Sequence, residues 1–277
     1  MKLATLRTAE GTRAIRVEGE RYAELGAPDV GAFLGQADWR DRAAAAMPER
    51  PLAGADLAPV VPRPGKILCV GLNYRNHILE MGRDLPQHPT LFAKFAEALV
   101  GPADPVALPP ESDALDWEAE LAVVVGAPVR RATEDQAAAA IAGFSVLNDV
   151  TTRDWQYRSP QWLQGKTFEG TTPFGPYLVT PDELPGGTRP ELDLACSVDG
   201  EQVQKATTGD LVFDPVELVR YASTILTLRP GDVIATGTPG GVGHARKPPR
   251  YLTGGTRLVT EIGGLGRLEN VVRDEHA

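Results

Sequence analysis

The stretch Leu115 to Gly126, LDWEAELAVVVG, restricts the fold of this chain more than any other segment. Its apolar run reads as a buried strand, and Glu118 and Glu120 stand two residues apart at its mouth. On a strand, side chains at i and i+2 share a face, so the two carboxylates are side by side. Buried like charges that close repel, and one must take up a proton unless something positive sits between them. A divalent cation resolves that conflict. Asp149, at the end of a second strand pattern, FSVLNDV, adds a third hard oxygen donor. Such a set suits Mg²⁺, Mn²⁺ or Ca²⁺ and not Zn²⁺, and it leaves coordination positions for an oxygen-rich substrate. The same residues also fit a solvated acidic edge strand with Asp149 capping a turn.

The chain has 277 residues, 42% hydrophobic and 23% charged, which is ordinary for a globular protein. A net charge of −9 without clustered Lys or Arg excludes a nucleic-acid partner. Cys69 and Cys196 lie in apolar, strand-like surroundings and read as buried thiols in a reducing compartment. The N-terminus lacks the apolar stretch of a signal peptide, and no run approaches the roughly 18 residues of a membrane span, so a cytoplasmic protein without membrane contact is expected.

Residues 1–62 read as a small β-rich N-terminal domain, with short strands in KLATLRT, RAIRVEG and RYAELG and a helix near Val30 to Met47. The proline-rich LAPVVPRPGK closes it, and 63–277 forms the second domain. There, KILCVGLNY predicts a strand, and RNHILEMG a short helix stopped by Gly82. TEDQAAAAIAG predicts a helix with a Thr133/Gln136 capping box, closed by Gly143. DPVELVRYASTIL predicts another, with Asp214 as cap and Pro215 in the first turn. The 29 glycines and 24 prolines between short strands point to a mixed, β-rich α+β chain whose second domain is rolled or barrel-like.

Three further groups carry chemistry. His77 and Glu80 are three apart on the short helix, where they can meet as a general base and its orienting carboxylate; a histidine beside a neighbouring acid on a surface is the plainer alternative. Arg153 and Gln156 follow Asp149, and Lys166 lies between glycines in LQGKTFEG, as donors for a substrate carboxylate or an oxyanion. GDVIATGTPGGVG is a strand entering a glycine-rich turn, without the spacing of a nucleotide-binding loop. His88, His244 and His276 have less to recommend them.

Taken in order, GLNYRNH, LDWEAELAVVVG, NDVTTRDWQ, GKTFEGTTPFGP and GDVIATGTPGGVG resemble the fumarylacetoacetate hydrolase family over about residues 66–270. The resemblance implies that family's mixed β-roll and a homodimer. It implies Mg²⁺ or a similar ion on Glu118, Glu120 and Asp149, and a water-activating pair, His77 with Glu80, on a lid. It further implies a catalytic, oxyanion-stabilising role for Lys166 and substrate contacts for Arg153, Gln156 and Thr238. The fourth metal carboxylate of the larger members, upstream of the histidine, has no counterpart in CVGLNYRNH, which places the chain in the smaller branch. The activity expected is metal-dependent hydrolysis of carbon–carbon bonds in 1,3-diketo acids such as acylpyruvates. The alternatives are isomerisation of 2-hydroxymuconate-type diacids or decarboxylation of oxaloacetate through the same enolate, and a non-catalytic protein that binds 2-oxo acids.

Overall fold

In the computed structural model, residues 1–80 and 82–275 are described, without the Glu80 side chain. The Ala119–Val125 strand is buried along its whole length because its two faces enter different cores. Leu121, Val123 and Val125 join a large core with Phe144, Val146, Leu194 and Leu268. Ala122 and Val124 join a second core with Phe33, Trp39, Val60 and Phe174. A strand with no solvent face has no reason to alternate with polar residues, which explains the unbroken apolar run. Glu118 and Glu120 belong to the Ala122 and Val124 face, at the end where the second core gives out.

That strand sits inside an 11-stranded sheet. The order runs from Arg50–Pro51 through Arg21–Glu24, Gly11–Glu18, Lys2–Thr8 and Thr172–Val179 to Ile141–Asn148 and Ala119–Val125. It ends with Val233–Ala235, Ile67–Gly71 and Thr90–Lys94. Leu99–Val100 adds to Thr172–Val179 in parallel. A five-stranded sheet (Glu201–Thr207, Asp193–Val198, Arg257–Ile262, Gly266–Asp274, Val106–Leu108) covers the first core, into which Leu194, Cys196, Leu258 and Leu268 project. The result is a strand-rich α+β fold with short helices, as the glycine and proline punctuation predicts. Among the described residues, no helix is long and apolar enough to cross a membrane.

The N-terminal strands form where expected, and they share the main sheet: Lys2 pairs with Val179 and Leu3 with Leu178. The helix expected near Val30 to Met47 is instead two, Val30–Leu34 and Trp39–Ala45. Asp29 caps the first through Ala32 N–H, and Gly35 ends it after five residues. The Thr133/Gln136 capping box forms on Glu134–Ala140, and that of Asp214 with Glu217 on Pro215–Ile225. Gly143 does not close the former helix. Ile141 already starts the next strand, in which a β-carbon at 143 would run into the Val179 carbonyl oxygen. Both cysteines are buried and free, and burial pushes the Cys196 thiol up to about 12.

Candidate active site

Antiparallel register makes the acidic cluster. Ala119 lies opposite Asn148, so the next residues outward, Glu118 and Asp149, become cross-strand neighbours. Asn148 Oδ1 accepts the Glu118 N–H at 2.9 Å, and Asp149 N–H donates to the Glu118 carbonyl at 2.8 Å. Glu120 follows on the same face as Glu118. Carboxylate oxygens of Glu118, Glu120 and Asp149 all fall within 4.8 Å of one another, and all three residues are buried.

Three cations are driven into this cluster. Lys166 Nζ donates to Glu118 Oε2 at 2.6 Å and to Asp149 Oδ2 at 2.8 Å. Lys94 Nζ donates to Asp149 Oδ1 at 2.7 Å and to the Val150 carbonyl at 3.0 Å. Arg153 bridges Asp116 and Glu118, at 2.8 and 2.7 Å. Burial alone would raise the Asp149 carboxyl, but Lys166 and Lys94 outweigh it and hold the group below its ordinary value. Burial opposes the Lys166 charge, and Asp149 and Glu118 more than restore it, so Lys166 stays an ammonium. Glu120 is different. Its Oε2 accepts the Gly237 N–H at 2.8 Å, and among the described residues no Lys or Arg forms an ion pair with it. Burial, then Asp149 and Glu118, push its carboxyl well above the ordinary value. A buried carboxylate short of positive charge, beside two others on hard oxygen donors, fits a divalent cation.

The backbone at Gly237 is built for that contact. It has φ +101°, and a β-carbon would sit 2.9 Å from the Val70 carbonyl oxygen, so only glycine brings its N–H onto Glu120. The glycine-rich turn therefore holds a side-chain carboxylate.

A cavity of about 410 Å³ opens onto the cluster, and His77, Arg153, Gln156, Lys166, Thr238, Glu118 and Glu120 line it. Of the residues expected from sequence, these seven share one wall-to-wall space, while Asp149 lies behind, bonded to both lysines. His77 is half-buried on the Arg75–Glu80 helix. The Glu80 side chain, expected to orient it, lies outside the described residues, as does Met81. Gln156 Oε1 accepts from Arg153 at 3.0 Å, and Arg153 Nη2 is buried with no partner among the described residues. Thr238 donates to the Ala119 carbonyl at 3.0 Å and accepts from Gln204 at 2.8 Å.

Three participants escaped the sequence reading. Lys94 ends the strand pattern TLFAK, where a lysine is ordinarily solvated. Asp116 stands inside the quoted LDWEAE motif, yet only the fold shows it fully buried. It accepts from Trp117, Gly243 and His244 backbone N–H groups and from Arg153 Nε. His244, discounted in sequence, lines the cavity and shares a 2.8 Å hydrogen bond with the Tyr251 hydroxyl.

Comparisons with known proteins show the family to which this fold belongs. The fumarylacetoacetate hydrolase C-terminal family model matches residues 66–273. Oxaloacetate tautomerase Fahd2a, mitochondrial, of Rattus norvegicus is 46% identical over 217 residues, 78% of this chain and 68% of that protein. A crystal structure of an HpcE protein from Mycobacterium smegmatis superposes with TM-score 0.90 at 36% identity, covering all of both chains. Maleylpyruvate hydrolase from Sphingobium sp. SYK-6, solved with manganese(II) and pyruvate, superposes with TM-score 0.81 at 29% identity, again over all of both. The rat relative overturns the expected cytoplasmic location, since its name places it in the mitochondrion. An apolar leader is the mark of secretion, whereas mitochondrial leaders are amphipathic, so the lack of an apolar stretch never separated the two compartments. The match of the family model over most of the chain, with relatives this close, makes the protein an enzyme of the fumarylacetoacetate hydrolase family.

Proposed function

We propose that this enzyme interconverts the keto and enol forms of a short 2-oxo acid of the oxaloacetate type, with a divalent cation held by Glu118, Glu120 and Asp149. The observation that carries this reading is the buried carboxylate trio on a cavity wall, with Glu120 lacking a counter-cation among the described residues. The name of the rat relative supports tautomerisation over hydrolysis as the principal activity. When bound, the cation supplies Lewis-acid polarisation of the 2-oxo group and so acidifies the neighbouring C3 hydrogens.

The residues of the chain do the rest. Arg153 offers its unpartnered Nη2–H groups to the substrate carboxylate. Lys166 uses two of its three N–H groups on Glu118 and Asp149 and directs the remaining one to developing charge on the 2-oxygen. His77 takes the C3 proton, the C–H electrons become the C2–C3 double bond, and a proton returned to the 2-oxygen completes the enol. No water is consumed, so tautomerisation needs a proton shuttle and no attacking nucleophile. Hydrolysis of a diketo acid stands as a second reading because a structural neighbour is a maleylpyruvate hydrolase and His77 could activate water from the same position.

The test follows enol formation from oxaloacetate in chelated protein, with and without added Mg²⁺ or Mn²⁺, beside an acylpyruvate cleavage assay. We expect divalent-dependent tautomerisation, cut by roughly 10²-fold or more in Glu118→Ala, the scale of several kcal/mol of lost charge stabilisation. Calorimetry should show that this variant no longer binds the cation. Tautomerisation at the uncatalysed rate, with acylpyruvate cleavage intact, would overturn the first reading in favour of the second.

A further inference from the structure

Asp116, Glu118 and Glu120 are spaced two apart, so an unbroken strand would set all three on one face and offer the cation site a fourth carboxylate. The fold separates them. Leu115–Asp116 is a short strand of its own, paired antiparallel with Thr151–Thr152, Asp116 opposite Thr151 and Leu115 opposite Thr152. Arg153 is the next residue along, and its N–H donates to the Ala114 carbonyl at 2.9 Å. This two-residue ladder delivers the Arg153 side chain to Asp116, which stays outside the cluster of Glu118, Glu120 and Asp149.

Each oxygen of Asp116 takes two donors. Oδ1 accepts the Trp117 N–H at 2.8 Å and the Gly243 N–H at 2.7 Å, while Oδ2 accepts the His244 N–H at 2.9 Å and Arg153 Nε–H at 2.8 Å. Four donors fill the acceptor capacity of a carboxylate, and the residue is fully buried. The turn Gly243–Ala245 comes this close because residue 243 is glycine: a β-carbon there would run into the Arg250 carbonyl oxygen and lie 2.8 Å from Asp116 Oδ1. The guanidinium is held from a second side, since Nη1 donates to Glu118 Oε1 at 2.7 Å and to Gln156 Oε1 at 3.0 Å. With Nε and Nη1 engaged, Nη2 is the remaining nitrogen of a residue that lines the cavity. An isosteric amide at 116 has one oxygen for one pair of donors, and its NH₂ group would face the other pair.

We propose that Asp116 is a positioning residue for substrate binding: it fixes the plane of the Arg153 guanidinium, so that Nη2 meets the substrate carboxylate, and ties that plane to the turn that carries His244 into the cavity wall. The inference rests on the reading that Arg153 holds the carboxylate of a 2-oxo acid. That carboxylate takes no part in the proton transfer, so its contact with Arg153 is equal in the ground state and the transition state, and loss of positioning raises KM with little change in kcat. A carboxylate that only anchored the turn would show its loss in stability, with pyruvate affinity unaffected.

Isothermal calorimetry of pyruvate with Mg²⁺-saturated protein measures the contact through binding alone. Asp116→Asn should weaken pyruvate about tenfold, the scale of one hydrogen bond to a charged group, and raise the KM for oxaloacetate tautomerisation by a similar factor while kcat stays within about threefold of the parent. In an Arg153→Ala background the same substitution should change pyruvate affinity by less than about twofold, because the group it acts through is gone. Arg153→Lys keeps the charge but has a single nitrogen, which cannot both seat on Asp116 and face the cavity in the plane of a guanidinium, so it should bind pyruvate nearly as weakly as Arg153→Ala. Parental pyruvate affinity in Asp116→Asn, or a loss that persists in full without Arg153, would overturn the assignment. Should Asp116→Asn fail to fold, Arg153→Lys decides: weakened pyruvate supports the assignment, and parental affinity overturns it. Undiminished pyruvate binding in Arg153→Ala would overturn both the assignment and the reading of Arg153. The expected coupling in a protein that fails to tautomerise oxaloacetate would refute the reaction proposed above and keep the assignment.

Discussion

Glu120 sets the energetic character of the site. Its carboxyl is buried, faces Asp149 and Glu118, and is pushed well above the ordinary carboxylate value of 4.5. A folded-state pKa raised above the unfolded one gives stability that is complete below the unfolded value and lost as pH rises through the folded value. In chelated buffer, Glu120→Gln should therefore melt higher than the parent at pH 8, by about 4 °C for a relieved cost on the order of 1–2 kcal/mol. The two melting curves should converge near pH 4. Added Mg²⁺ should raise the parent's Tm by linkage and leave the variant's unchanged. A variant that melts lower than the parent at pH 8 in chelator would show that Glu120 is no burden. His77 makes the complementary case, since it lines the cavity without belonging to the acidic cluster. His77→Ala should lower tautomerisation by roughly 10² to 10⁴, the usual worth of a positioned acid–base group, while calorimetric cation affinity stays at the parental value. Wild-type turnover in this variant would assign the proton transfer elsewhere.

At the scale of elements, the Arg75–Glu80 helix is short enough to depend on its contacts. Ile78 and Tyr74 are buried beneath it, and the Asn76 N–H donates to Asp210 Oδ2 at 3.0 Å, a first-turn cap supplied from a distant part of the chain. Asp210→Ala should speed amide exchange across residues 75–80 about fivefold, the scale of a lost cap worth about 1 kcal/mol, and leave the central strands unchanged. Equal exchange in variant and parent would make burial of Ile78 the sole anchor. This helix, with the Thr133 and Asp214 caps, was legible in the sequence because every signal lies within a few residues. The same holds for the Glu118 and Glu120 pair, which needs only the i, i+2 rule. Gly143 misled because glycine marks both a helix end and a close approach of strands, and locally the two look alike. Lys94 and Asp116 stayed hidden for a different reason. Lys94 meets Asp149 across 55 positions, and Asp116 meets His244 across 128. Such partners follow from strand order, which no local pattern encodes. Asp149 and Lys166 came into view as donors from the strand and glycine patterns around them, and the family motifs added Thr238, which meets Ala119 across 119 positions, since such motifs carry the fold's pairing implicitly.

The whole molecule is tied together by strands from its first residues. Lys2–Thr8 hydrogen-bonds to Thr172–Val179, and Val30, Phe33, Trp39 and Val60 share a core with Ala122, Val124 and Phe174. Deleting residues 1–62 should therefore expose a strand edge and a wide apolar face at once, and yield aggregated protein with no cooperative melt. A monodisperse, cooperatively melting 63–277 would show that the remainder holds itself together. The register that sets Glu118 opposite Asp149 also decides when in the life of the chain an ion can be captured. The two carboxylates have no common geometry until the strands have found their alignment, and the lysines that neutralise them come from another strand, Thr90–Lys94, and from the short helix Leu163–Lys166. Cation capture is then expected as the final step of maturation, an inspection stamp applied only to correctly aligned chains. Refolding rates measured by stopped flow should be the same in Mg²⁺ and in chelator, with the whole benefit appearing as slower unfolding. An acceleration of refolding by Mg²⁺ would mean that the ion helps to align the strands.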